Sequence, residues 1–305
     1  MADQKSVVFL GSINMDVILR IARLPKPGET IAMTDFHTAG GGKGANQAVA
    51  SARSEAITSF VGRVGADEYG KTMLNLLQTS GINTDNIKVD SKSVTGQAFI
   101  LLQKSGQNSI IINGGANQKI KKQDIFDAKE KIAAADFAVS QFEVSMERIE
   151  EFFIAAKDAG VKTILNPAPA KKATQKLLGL TDLIVPNEIE AQELTGVKIT
   201  DETSAKKAAV LLADKGIANV VITLGSLGAY CYTPTFKKLI PAFKVKVLDT
   251  TGAGDTFIGA LCSVLENDLG NIREAVVYAS RAASLAVQHL GAIPSIPMKK
   301  QIMKR

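Results

Sequence analysis

Tryptophan is absent from this chain, and cysteine and histidine occur only as Cys231, Cys262, His37 and His289. The cysteines sit inside apolar patterns and the histidines lie far apart. No spacing suits a zinc site, and two thiols cannot make a disulfide framework, so buried free thiols are expected. Aromatic residues make up 5% of the chain, too few to interleave with a basic face for nucleic-acid binding. The net charge of +6 is spread over scattered lysines, with pairs at Lys121-Lys122, Lys171-Lys172 and Lys299-Lys300. That distribution reads as a solvated surface with a modest pull on anions. No apolar run approaches the ~20 residues of a membrane-spanning helix. The opening MADQKSVVFLGS breaks at Gly11, too early for a secretory core. A cytoplasmic protein with no membrane or nucleic-acid partner is expected.

With 305 residues, 46% of them hydrophobic and 22% charged, the chain can bury a large core. Short runs rich in Val, Ile and Leu recur at Val7–Leu10, Ser59–Val64, Phe137–Val139, Thr163–Leu165, Leu183–Val185, Val220–Leu224 and Val245–Leu248. Helical patterns at Gly70–Leu77, Asp124–Ala135, Met146–Ala159, Ala205–Lys215 and Asp255–Leu265 separate most of them. Such alternation predicts an α/β fold with a doubly wound, mainly parallel sheet and helices on both faces. Ligands then belong beyond the carboxyl ends of the strands. Asn14–Thr38 and Thr95–Asn117 instead alternate apolar and polar residues, with turn signals at Pro25–Gly28, Ser105–Gln107 and Gly114–Gly115. They predict antiparallel strands in a small second sheet, built from segments of about 14–40 and 95–117 within one domain spanning 1–305. Such a sheet serves as a lid, a dimer interface, or both.

The sharpest motif is Asp249-Thr-Thr-Gly-Ala-Gly-Asp255, between an expected strand at Lys244–Leu248 and a helix starting near Thr256. Gly252, Ala253 and Gly254 let backbone N–H groups converge at a helix N-terminus, where negative charge is favoured. An Asp beside such a nest fits a phosphoryl group in flight, with Asp255 accepting a proton from the attacking hydroxyl. An ordinary Asp N-cap would use the same letters.

Gly40-Gly-Gly-Lys-Gly-Ala-Asn46 allows close backbone approach to a ligand, and Lys43 and Asn46 supply donors for hydroxyls. Thr223-Leu224-Gly225-Ser226-Leu227-Gly228 comes directly after a strand and suits a nucleotide. Asn187 and Glu190 open a helix; Asn187 suits a nucleotide contact and Glu190 a water on Mg²⁺, while helix capping explains both equally well. Gly65-Ala-Asp-Glu-Tyr-Gly-Lys71-Thr72 matches the Walker A pattern. Its Asp67 and Glu68 would repel the very phosphates such a loop cradles, so the match is read as coincidence.

Taken with Gly11–Asp16, Val61–Gly70 and Asn166-Pro-Ala-Pro169, these motifs resemble, in content and in order, the ribokinase (PfkB) family of carbohydrate kinases. The resemblance covers essentially the whole chain and is closest to the branch that gives the family its name. It implies transfer of the γ-phosphoryl group of ATP to O5 of D-ribose. It places Asn14, Asp16, Gly42, Lys43, Gly44, Ala45, Asn46 and Glu143 around the sugar, with Asp255 as base and Gly252–Gly254 as anion hole. ATP falls to Asn187, Thr223–Gly228, Gly254, Asp255 and Ser280. Mg²⁺ and a monovalent cation, usually K⁺, are the implied ions. Asp249, Thr251, Ala286, His289, Gly291 and Ser295 match the K⁺ site, and Glu190 a water-mediated Mg²⁺ contact. A homodimer through the lid sheet is also implied. Ser54-Glu55, Ser280 and His289 depart from the family pattern. A kinase for fructose, deoxyribose, 2-keto-3-deoxygluconate or adenosine, and a non-catalytic regulator that kept the fold, stand as alternatives.

Overall fold

The structure, a computed structural model, describes residues 4–105 and 107–304; Met1–Asp3, Gly106 (inside the expected Ser105–Gln107 turn) and Arg305 lie outside the described residues. The strands are β1 (Ser6–Leu10), β2 (Asn14–Ile21), β3 (Met33–Gly41), β4 (Ile57–Gly65), β5 (Asn83–Asp90), β6 (Gly96–Gln103) and β7 (Asn108–Asn113), then β8 (Phe137–Gln141), β9 (Lys162–Asn166), β10 (Leu183–Ile184), β11 (Asn219–Thr223), β12 (Ala229–Tyr232) and β13 (Lys237–Ile240). The helices are α1 (Lys43–Arg53), α2 (Glu68–Thr79), α3 (Lys122–Asp127), α4 (Lys129–Ala133), α5 (Met146–Asp158) and α6 (Gln175–Gly179), then α7 (Glu188–Thr195), α8 (Glu202–Asp214), α9 (Ala253–Val264), α10 (Ile272–Ala286) and α11 (Lys299–Ile302).

The main sheet has the order β13-β12-β11-β10-β9-β8-β1-β4-β5. Pairing is parallel from β11 through to β5 and antiparallel across β11, β12 and β13. Successive side chains of a strand face opposite ways, so each parallel strand feeds two cores. Val7 and Phe9 join a cluster with α1, α9 and α10, whereas Val8 and Leu10 join one with α5, α7 and α8. Helices on both faces of a mainly parallel sheet are the architecture the sequence predicts. The chain winds outward from β1 to β4 and β5, then returns to β8 and winds the other way. The strand order therefore reverses between β1 and β8, which opens a crevice at their carboxyl ends.

A second sheet has the order β3-β2-β6-β7. Its strands are not all antiparallel, because β2 and β6 pair in parallel. The reason lies in the main sheet. β2 leaves the carboxyl end of β1 and β6 leaves that of β5, so both head away from the same end of a parallel sheet. The lid sheet is thereby rooted at the end where the crevice opens.

Other expectations need correction. Val245–Leu248 forms no strand: Pro241 ends β13, and the stretch runs exposed, with Leu248 and Asp249 donating to the Val287 carbonyl. Asp124–Ala135 is two short helices that break at Ala128. The edge strands β5 and β13, the strand β12 next to that edge and the helix α10 carried no clear signal among neighbouring loops.

Helices α1 and α9 cross so closely that Gly259 has no space for a side chain. A Cβ there would lie 2.2 Å from the Gln47 carbonyl oxygen and 2.6 Å from Ala50 Cβ. Gly259→Ala is expected to force the helices apart and cost about 1–3 kcal/mol. Thermal unfolding should show a midpoint lowered by several degrees, and an unchanged midpoint would refute this account of the crossing.

Candidate active site

Loops and turns at the carboxyl ends of the parallel strands wall the crevice. After β1, the turn Gly11–Ile13 leads into Asn14 and Asp16 on β2. After β3, Gly42 adopts φ 92° as N-cap of α1. A Cβ on Gly42 would stand 2.7 Å from the Asn14 nitrogen and 2.9 Å from the Ser12 carbonyl oxygen, so the turn needs glycine. That turn delivers Lys43, Asn46 and Gln47 in the first turns of α1. Glu143, just past β8, accepts from Ser12 Oγ at 2.5 Å and from the Lys43 backbone N–H at 3.1 Å. Asn14 Oδ1 accepts from Asn117 Nδ2 at 2.7 Å.

Asp255 enters from α9. It does not cap its helix: Gly252, at φ 73°, is the N-cap, and no side chain caps α9. The N-cap alternative is thereby removed. Asp255 Oδ2 accepts from Asn46 Nδ2 at 2.9 Å and Oδ1 from Gln47 Nε2 at 3.0 Å. Burial pushes this carboxyl up, while the Lys43 ammonium and the two amide donors pull it down. Asn46 Oδ1 is buried with no hydrogen-bond partner of the protein's own. Among the described residues, the N–H groups of Gly254 and Asp255 make no backbone hydrogen bond, whereas those of Ala253 and Thr256 reach Thr250 and Gly252. First-turn N–H groups left free in this way form an anion-binding nest.

A cavity of about 180 Å³ opens onto these groups. Its wall combines Lys43 and Asp255 with Asn166, Ala168, Val185, Asn187, Glu190, Thr223, Thr250, Gly252, Gly254 and Ile258. Of the residues read for the sugar, Lys43 and Asp255 share this space with residues read for the anion and the nucleotide, while Asn14, Asp16, Asn46 and Glu143 are not part of its wall. Lys43 lies among Asp255, Glu143, Glu190 and Asp16; burial opposes its charge, but the four carboxylates outweigh that and raise its pKa. Asp16 is pushed up to about 7, chiefly by burial and further by Glu143 and Asp255, against the pull of Lys43.

Other predicted residues sit differently. Asn187 and Glu190 form a capping box, with Glu190 Oε2 accepting from the Asn187 N–H at 2.8 Å and Asn187 Oδ1 from the Glu190 N–H at 2.9 Å. Capping and cavity lining coexist there. Leu224–Gly228 continue from the cavity as a short helical turn, and Ser280 on α10 is not part of the cavity wall. Asp249 accepts from the Gly291 N–H at 2.8 Å and from the Thr251 N–H at 2.9 Å, which ties the two loops of the implied K⁺ site together. Burial works against the Asp249 carboxylate, yet the Thr251 hydroxyl, donating at 2.6 Å, and the two backbone N–H groups hold it below its usual range. Ser295 Oγ donates to the Ala292 carbonyl, and the Ala286 carbonyl accepts from His289. The ligand candidates supply only oxygen apart from His289, as a hard monovalent cation prefers.

The Walker-like stretch holds no phosphate site. Asp67 caps α2 through Gly70 N–H at 2.8 Å and accepts from Thr95 N–H and Oγ1, at 2.8 and 2.6 Å. A carboxylate of the protein fills the place of the phosphate and fastens the root of the lid sheet. Ser12, Gln47, Asn117 and Gln141 were missed from the sequence. Gln47 directly follows a glycine-rich motif, which was a usable signal; the others gave none, because their roles depend on contacts over 100 residues away or nearly so. Cys231 and Cys262 are free and buried, as expected, with burial pushing the Cys231 thiol up to about 12. No described helix is long and apolar enough to cross a membrane.

Comparison with known proteins adds an independent line. A family model described as pfkB family carbohydrate kinase matches residues 4–299. A bifunctional ribokinase/ribose-5-phosphate isomerase A of Fructilactobacillus sanfranciscensis is 46% identical over 98% of this chain, which spans 56% of that longer relative. A ribokinase of Staphylococcus aureus is 44% identical, with 97% of this chain and 98% of the relative covered. The solved structure of Arabidopsis thaliana ribokinase complexed with ribose and ATP superimposes with a TM-score of 0.88 at 35% identity, covering 98% of this chain and 97% of that one.

The raised Asp16 carboxyl has a consequence for stability. Its folded value of about 7 lies above the unfolded 3.8, so between those values the folded state holds a proton that the unfolded state releases. Stability from this group is therefore lost as pH rises through that window. Asp255 shifts in the same direction. Asp16→Asn is expected to raise the melting temperature of the ligand-free protein by a few degrees at pH 8 and hardly at all near pH 4. A gain that is the same at both pH values would refute this origin.

Proposed function

The chain belongs to the pfkB family of carbohydrate kinases, and on that premise we propose that it phosphorylates D-ribose at O5 with ATP, giving D-ribose 5-phosphate. The observation that carries the reading is the buried carboxylate of Asp255, set between hydroxyl-binding groups on one side and a free helix N-terminus on the other. Asn14, Asp16, Lys43, Asn46 and Glu143 bind the sugar, with Gly42–Ala45 bringing backbone to it. Carboxylates and a free amide oxygen accept from its hydroxyls, and Lys43 donates. Asp255 takes the proton of the attacking hydroxyl as the phosphoryl group passes in line. Within the Gly252–Gly254 turn read as the anion hole, the free N–H of Gly254, with that of Asp255 and the positive end of the α9 dipole, meets the charge on the transferring oxygens, while the Ala253 N–H is held by Thr250. Asn187 and Thr223–Gly228, with Ser280 at the edge, hold the nucleotide.

Two ions complete the reading. Glu190 would hold Mg²⁺ through water, and Asp249, Thr251, Ala286, His289, Gly291 and Ser295 would hold K⁺. The first supplies charge neutralisation on the phosphates, and the second fixes the loop ahead of α9. Ribose is favoured over a nucleoside because a nucleoside base needs an aromatic stacking surface, and the lid offers only Phe36 and Phe99.

We also read the lid sheet as a homodimer contact. Its strands expose Phe36, Ile110, Ile111 and Ile112, each about half accessible or more. An apolar sheet of that kind asks for a partner.

Release of ADP with a panel of sugars and ATP–Mg²⁺, with and without K⁺, tests the reaction. Ribose should be the best acceptor and K⁺ should raise the rate; silence on every pentose would refute the assignment. Asp255→Asn should lower kcat by about 10²–10⁴-fold or more, with ATP binding largely kept. Most of the rate surviving would remove Asp255 as the base. Light scattering at micromolar concentration should give a dimer, shifted toward monomer by Ile110→Asp with Ile112→Asp. A monomeric parent protein would refute the interface.

A further inference from the structure

Behind Asp255 lies a chain of buried amides that none of the chemistry above uses. Gln47 is fully buried in α1. Its Nε2 donates to Asp255 Oδ1 at 3.0 Å and to Asn166 Oδ1 at 3.1 Å. Its Oε1 accepts from Gln141 Nε2 at 2.9 Å. Gln141 is the last residue of β8, at the switch point of the main sheet, and is also fully buried.

The bonds of Gln47 and Asn166 have a fixed direction; Gln141, whose own Oε1 is buried without a partner, takes its direction from Gln47. An amide rotated by half a turn keeps its shape but exchanges donor and acceptor. If Gln47 rotated, its oxygen would face the Asp255 carboxylate and its N–H groups would face those of Gln141. Both contacts are repulsive. Asn166 is fixed in turn, because its Nδ2 donates to the Val185 carbonyl at 3.0 Å and leaves its Oδ1 to receive Gln47. The N–H of Gln47 can therefore only point at Asp255.

We propose that Gln47, held by Asn166 and accepting from Gln141, is a positioning residue for Asp255: it fixes which carboxylate oxygen meets the acceptor hydroxyl and favours the ionised form of that buried carboxylate. This rests on the reading of Asp255 as the proton acceptor. A donor to the charged form favours it, and the effect grows as water is excluded. Four other charged groups act on the carboxylate through the crevice. Lys43 of α1 supports ionisation, while Glu143 after β8, Asp16 of β2 and Glu190 of α7 oppose it. Burial and three carboxylates push the group up against one ammonium, and the Asn46 and Gln47 amides work against that push. Asn46 keeps an acceptor without a protein partner, whereas both amide atoms of Gln47 are bonded within the protein.

Gln47→Met keeps the length of the side chain and removes the donor, and Gln141→Met removes the donor to Gln47 Oε1 while Asn166 and Asp255 still hold Nε2. Carbon-13 labelling of aspartate, with the Asp255 carboxyl resonance assigned by its loss in Asp255→Asn, reads the titration without any ligand. In Gln47→Met its midpoint should rise by roughly one pH unit or more, and in Gln141→Met by less. The acidic limb of the kcat profile should move up with it, with kcat at pH 7 down roughly 10–100-fold and the sugar KM within about threefold. An unmoved midpoint and limb would overturn the proposal, even if kcat fell, because a purely structural defect leaves both in place. Should Gln47→Met fail to fold, the Gln141→Met midpoint decides alone. The carboxyl titration needs no acceptor, so a protein inactive on every sugar would refute the kinase reading separately from this result.

Discussion

A carboxylate removed from water needs donors in water's place, or it gives up its charge. At Asp255 those donors come from the helix packed across its own. Asn46 and Gln47 are consecutive residues of α1, and each reaches one oxygen of the carboxylate. Two such short side chains can do this only if the helices nearly touch, and Gly259 is what lets them touch. The chain therefore combines its most expensive group with its tightest helix crossing. Breaking one side of such an arrangement costs far more than the arrangement stabilises, because an unpaired buried charge remains.

The rest of the crevice is arranged around that placement. Asp16, Glu143 and Glu190 join Asp255 around one ammonium, Lys43, so the site carries more acceptors than donors. A pool of acceptors is a poor host for phosphate alone and a good one for a molecule whose every polar group is a hydroxyl, since each hydroxyl brings a proton to donate. The donors for phosphate stand apart, on backbone at the start of α9, where no side-chain charge is needed. On the proposed reading, this separation lets one cavity serve two partners of opposite demand. It depends on the topology: acceptors arrive on β2 and after β8, the nest on a helix that no strand immediately precedes.

Much of this was legible in the sequence, for identifiable reasons. Strand runs such as Val7–Leu10 are apolar on both sides because both faces of the sheet are covered, and that pattern has few other meanings. Glycines that a turn requires, as at Gly42 and Gly252, mark the loops that approach a ligand. Val245–Leu248 has the letters of a strand but no neighbouring strand to pair with, and pairing is not written in so short a run. The parallel pairing of β2 with β6 was hidden because direction is set by where β1 and β5 end, not by either segment. Gln141 was invisible for a sharper reason: a glutamine at the end of an apolar strand reads as the residue that reaches solvent, and here it is fully buried.

The Walker-like stretch shows what separates a motif from a site. Its spacing, Gly65 to Lys71-Thr72, puts a helix N-terminus after a strand, and the free N–H groups there do bind a carboxylate. The carboxylate is Asp67, from the loop itself, and its remaining contacts go to the N–H and hydroxyl of Thr95 at the root of β6. The same electrostatics that would hold a phosphate instead hold the lid sheet to the main one. At α9 the equivalent position is Gly252, which has no side chain to fill the nest, and the neighbouring carboxylate is drawn away by Asn46 and Gln47. What distinguishes a structural turn from a candidate anion site here is therefore not the glycines, which both possess, but whether the protein satisfies its own helix terminus. At α2 it does; at α9, among the described residues, it does not.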